Sequence, residues 1–187
     1  MTNGASTQQS RLDANQASLR LDMADVRSRL EALDRGDEVA DRPASVHADT
    51  LRATKAAFGL SDFECHVLLL GAAIELDTEV ASLCERITSQ AGHRWATFAL
   101  ASRVFGGAHW SALLPTGPLR FWPLVDLDLR RDSTMAHARI VIAERTLHHI
   151  TGLVYLDESL HAWVTPCVAP DHLWPVVGEH QNADAGI

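Results

Sequence analysis

The stretch LSDFECHVLLLGAAIELD, Leu60 to Asp77, decides the fold. Ser61 followed three residues later by Glu64 is a capping box, in which each side chain satisfies a backbone N–H that the first helical turn leaves open. Behind it, Phe63, Val67, Leu70 and Ile74 share one helical face, and Leu68, Leu69 and Ala72 leave little polar surface on the others. A helix apolar nearly all round must be enclosed, so this one is predicted to run through the centre of a core. Asp77 can cap the next helix, whose stripe is Val80, Leu83 and Ile87, with Gly92 in the loop after it. Thr97 then caps a short helix carrying Phe98, Ala101 and Phe105, which Gly106 and Gly107 close.

Towards the C-terminus, a short amphipathic piece from His109 to Leu114 precedes Pro115 and Gly117, and then the period changes. Leu119, Phe121, Val125, Leu127 and Leu129 alternate with Arg120, Trp122, Asp126 and Asp128, which predicts a strand with Pro123 at an edge or bulge. Arg130 to Ser133 reads as a turn and Arg139 to Ile142 as the returning strand. A helix from Glu144 to Ile150 should end at Gly152, with another turn or two between Asp157 and Val164. From Pro166 the chain reads as a flexible tail, 166–187. Three helices bury one another's stripes and a hairpin covers the remaining edge. The expected class is therefore mainly α (α+β), a winged-helix-like three-helix core with a two-stranded wing.

Towards the N-terminus, a helix from Ala44 to Phe58 leads to Gly59. Before it, Leu12, Leu19, Val26 and Leu33 recur every seven residues with Gln16, Met23 and Leu30 between them, which predicts a long helix from Gln8 to Arg35. Arg20, Asp22, Arg27 and Arg29 should flank its seam, and Gly36 to Pro43 should form a linker. The organisation expected is 1–43 as helix and linker, 44–165 as the domain. The seam Leu12, Leu19, Met23, Val26, Leu30 and Leu33 has two readings: a coiled coil joining subunits, or a helix packed back onto its own domain.

Composition narrows the function classes. No run approaches the roughly 20 apolar residues of a membrane span, and the N-terminus lacks the layout of a signal peptide, so a cytosolic location is expected. Cys65, Cys84 and Cys167 have no CxxC spacing and read as reduced thiols, with Cys84 a small core residue on its helix stripe. His148 and His149 with Glu144 and His161 are the densest potential ligand group, but they lack HExxH or cleaner zinc spacing, so no metal or other cofactor is expected. No GxSxG segment and no pair of catalytic carboxylates stands out.

The net charge of -8 opposes nonspecific binding to nucleic acid. Residues 93–145 are the exception, with seven arginines against four carboxylates. Lys55 is the single lysine, so cationic contacts here are planar guanidinium contacts. Arg94, Arg103, Arg130 and Arg131 are the candidate partner-binding residues, facing an acidic protein surface. Duplex DNA is the alternative partner, disfavoured because the helix Thr97 to Phe105 offers one cation and no Asn or Gln to read bases.

Four segments carry a further signal: Leu60 to Asp77, HWSAL (His109 to Leu113), PLRFWPLVDLD (Pro118 to Asp128) and RIVIAERTLHHITGLVYLDESL (Arg139 to Leu160). Together, over residues 45–165, they resemble the winged-helix N-terminal region of bacterial AAA+ ATPases encoded with extracellular contractile injection systems, the phage-tail-like particles. Cys65 and His66 stand where that family is typically charged, and Ala143 where an acidic N-cap is expected. The resemblance implies an adaptor ahead of an ATPase module, with ATPase subunits or particle components as partners. No GxxxxGK[ST] loop accompanies it: Lys55 lies between Thr54 and Ala56 and cannot serve a phosphate loop. The expectation is a fragment or stand-alone copy of the adaptor, without catalysis of its own.

Overall fold

In a computed structural model, residues 3–39, 44–89, 91–107, 109–129 and 134–153 are described. At their centre lies α3 (Asp62–Leu76), with every residue from Phe63 to Ile74 buried. Both halves of the capping box are present: Ser61 Oγ accepts from Glu64 N (3.2 Å), and Glu64 Oε2 accepts from Ser61 N (2.9 Å). That pairing is what permits Glu64 to be buried. Asp77 serves two helices, ending α3 with its own N–H on Ala73 and accepting from Glu79 N to open α4 (Thr78–Thr88). α5 (Phe98–Phe105) starts on Thr97, whose hydroxyl accepts from Leu100 N. α1 (Asn3–Arg35), α2 (Asp49–Phe58), α4 and α5 all pack on α3.

His66 is enclosed on α3, where its Nε2 donates to Ala44 O (2.9 Å) and its ring stacks on Phe105. Burial pushes the pKa of His66 below the ordinary 6.5, and burial followed by the nearby His137 does the same to His93. The unfolded chain therefore takes up protons near pH 6.5 that the folded chain refuses. Stability should be at its full value above that pH and fall as pH drops towards the folded-state values. Urea midpoints measured across this range should show the decline, and His66→Gln should flatten it. An unchanged slope in that variant would count against His66 as its source.

The seam of α1 is occupied by its own chain. Leu19, Val26 and Leu30 are buried in the common core, while Met23 and Leu33 pack against it. Leu12 is half-buried near Gly152. Arg27 to Glu79 (3.1 Å) and Arg86 to Asp34 (2.8 Å) join α1 to α4 along the rim. Two of the residues expected to flank the seam, Asp22 and Arg29, are enclosed. Arg29 is buried beside Asp25 (2.8 Å), and Asp22 is fully buried, accepting from His47 N, His47 Nδ1 and Ala48 N at 2.6 to 2.9 Å. Those bonds correct the start expected for α2 at Ala44. The N–H groups of His47 and Ala48 go to Asp22, the chain from 44 to 48 is not helical, and the helix begins at Asp49.

β1 (Val125–Asp128) and β2 (Arg139–Ile142) form the antiparallel ribbon, with Val125 opposite Ile142 and Leu127 opposite Ile140. These four side chains are buried against the helices, as the alternation requires. The strand is shorter than expected because its first half is helical. Pro118–Phe121 forms a single turn, α6, with Pro118 at the first helical position, where its missing N–H costs nothing. Leu124 N then bonds Leu119 O and turns the chain into β1. α7 (Glu144–Ile150) follows the ribbon from an Ala143 that offers no side-chain cap. Its last carbonyl, on Ile150, accepts from Asn15 Nδ2 (3.0 Å) and Thr50 Oγ1 (2.7 Å), so α1 and α2 both hold its end. The turn 130–133, the segment Asp157 to Val164 and the tail 166–187 lie outside the described residues. Among those described, no helix is long and apolar enough to cross a membrane.

Candidate interaction face

The four arginines proposed from sequence have different placements. Arg94 is committed within the chain, its Nε on Glu85 Oε2 (2.9 Å) and an Nη on Ser82 Oγ. The Gly92 amide and Arg94 together hold the Glu85 carboxyl below its usual range. Arg103 is exposed near the end of α5 and makes no ion pair among the described residues. Arg130 and Arg131 fall outside them. The expected arginine face is thus represented in the described structure by Arg103, with Arg94 turned to a local structural role.

Sites for chemistry are not assembled among the described residues. No group of three or more His, Cys, Asp or Glu could hold a metal there; His148 and Glu144 approach at 3.5 Å, and His161 is not described. Cys65 and Cys84 are buried, and burial pushes their thiols up to about 12 and about 11, so neither supplies a thiolate at neutral pH.

The structure does expose several large aromatic and apolar side chains between α5 and the ribbon. Trp110, in a 3-10 turn (Trp110–Leu113), is 70% exposed; Phe121 is 60% exposed, and Leu114 and Trp122 about half. Trp110 rests on a buried ring and Trp122 on a partly buried one. Trp110 stacks on Phe98 at 5.4 Å, and Phe98 meets Phe63 edge-on at 5.2 Å. Trp122 packs on Phe58 (5.6 Å) and Phe121 (5.0 Å). Exposed rings seated in this way are held in place and lose little freedom on binding. Gly117 is required by the turn between them, since a Cβ there would come within 2.7 Å of Ser111 O. The available signal was Trp110 and Trp122 in a segment broken by Pro115, Gly117, Pro118 and Pro123, where large rings cannot all reach a core.

Beside this surface, Arg120, Arg145, Pro115, Pro123, Val125 and Asp126 line an open cleft of ≈ 400 Å³. Arg120 donates to Leu113 O (2.8 Å) and Arg145 to Pro123 O (3.4 Å). Neither pairs with a carboxylate among the described residues.

The connectivity around the ribbon orders these parts. Ala96 bridges Ile140 on the side of β2 away from β1, so the strand order is β1, β2, then the single residue Ala96. A family model described as "Winged helix domain, variant" matches residues 2–164. The chain belongs to this family. No curated protein and no solved structure matches it. In this variant winged helix domain, α5 directly follows Ala96 and is packed in, with Phe98, Leu100, Ala101 and Val104 buried. The segment that feeds the ribbon is 110–121. Between α5 and the ribbon the domain has a 3-10 turn, one turn of α6 and exposed tryptophan and phenylalanine.

Proposed function

We propose that this variant winged helix domain is a non-catalytic protein-docking module, and that it serves as the adaptor of an AAA+ ATPase linked to contractile injection systems. The AAA+ assignment rests on the sequence resemblance; the docking role rests on the aromatic surface of Trp110, Leu114, Phe121 and Trp122. Seated aromatic side chains are the residues that dominate protein interfaces. Arg103, with Arg130 and Arg131, supplies the charge that steers an acidic partner, either an ATPase subunit or a particle component. The net charge of -8 and the single cation on α5, Arg103, work against phosphate binding.

The test uses purified ATPase and particle components, each titrated against the wild-type chain and a Trp110→Ala, Trp122→Ala double variant. The double variant should weaken capture by about tenfold or more. Capture that is equal in both sinks the aromatic face. A parallel titration with duplex DNA at low salt should show no complex, and steeply salt-dependent binding would install the DNA-binding reading instead.

A further inference from the structure

Among the described residues, the pairing pattern of the ribbon leaves one set of backbone groups open. Ala143 N bonds Leu124 O, and the register then turns Asp126 and Asp128 towards β2 for their ladder bonds. Val125 and Leu127 therefore point their N–H and C=O groups away from β2. On the other strand, Ile140 points outward in the same way and its N–H is taken by Ala96 O (2.9 Å). No backbone partner meets Val125 or Leu127 among the described residues. The outward N–H of Leu127 is instead held by a side chain, Asp126 Oδ1, at 2.8 Å. Val125 and Asp126 line the cleft that also holds Arg120 and Arg145.

A short edge strand guarded by a charge can simply be a protected edge. Asp126 fits that description. A guard does not account for two arginines that line the same cleft as Val125 and Asp126 without carboxylate partners among the described residues, each fastened by one hydrogen bond to a backbone carbonyl. That fastening positions the guanidinium groups and leaves other N–H groups on each free to donate.

We propose that the open edge of β1 is a strand-addition site for an extended, carboxylate-bearing segment of a protein partner. The proposal rests on the docking function argued above and names the chemistry of what is docked. The incoming backbone pairs with Val125 and takes over the Leu127 N–H from Asp126, while a carboxylate meets Arg120 and Arg145. Asp126 is displaced in the process. It competes for the Leu127 N–H and repels an incoming carboxylate, so it sets the threshold for binding.

The probe is a short end-capped peptide alternating valine and glutamate, followed by amide NMR. Its binding should slow hydrogen exchange at Val125 and Leu127 by about tenfold or more. The same peptide with lysine for glutamate, or with alternate backbone nitrogens methylated, should not bind. Arg145→Glu should weaken binding by about fivefold or more. Asp126→Ala should tighten it by about threefold or more, and Asp126→Asn, which keeps an acceptor for Leu127, by less. Absence of protection at Val125, or binding indifferent to N-methylation or to Arg145→Glu, overturns the proposal. Protection that instead rises with protein concentration and without peptide also overturns it, by making a second copy the occupant. If the peptide fails while partner capture still depends on Trp110 and Trp122, strand addition falls alone; if capture ignores those residues too, the docking reading falls with it.

Discussion

Asp22→Ala should cost the domain about 3 kcal/mol, with a fall in melting temperature of roughly 6 to 12 °C. Asp22 is fully buried and receives two backbone N–H groups and one imidazole N–H. Alanine removes the acceptor, leaving the buried N–H of Ala48 and the part-buried N–H of His47 without it, and an orphaned buried donor costs about 1 to 3 kcal/mol. The carboxylate also joins the middle of α1 to the approach of α2, so its loss should loosen the docking of α1. Asp22→Asn retains one acceptor oxygen and should lose less. Chemical unfolding of the three proteins provides the measurement. If alanine unfolds within 1 kcal/mol of wild type, other partners reach those N–H groups and the clamp described here is not needed.

Leu30→Ala should destabilise by about 2 to 5 kcal/mol, since Leu30 is fully buried and truncation leaves a cavity among the helices packed on α1. The more informative part is its concentration dependence. A residue of an intersubunit seam gives an unfolding midpoint that rises with protein concentration. Packed within its own chain, Leu30 should give midpoints that do not move with concentration in either protein. A midpoint that climbs with concentration in the wild type and not in the variant would return Leu30 to a seam between subunits.

What the sequence disclosed was set by the range of the interactions involved. The capping box at Ser61 and Glu64, the Asp77 cap of α4, the Thr97 cap and the start and end of β2 were legible because their determinants lie within a few residues of one another. The burial of α3 was legible because its apolar residues leave no polar face. Where local signals competed, they misled. The alternation from Leu119 predicted a strand, but Pro118 begins a helical turn and only Val125–Asp128 pairs. The aromatic face was missed because exposure is a property of what packs nearby: Phe121 and Trp122 look like ribbon residues until Phe58 is found beneath Trp122.

A short span of chain carries the information for caps, helix stripes and strand alternation, because hydrogen bonds and side-chain periodicity act between near neighbours. Those alone made this a helical core with a ribbon. Whether the seam of α1 meets its own chain, which carboxylate is enclosed, and which strand edge stays open depend on residues brought together from distant positions, as Asp22 is with His47 and Ala96 with Ile140. Such pairings follow from the packing of the whole domain, and one-dimensional spacing does not encode them.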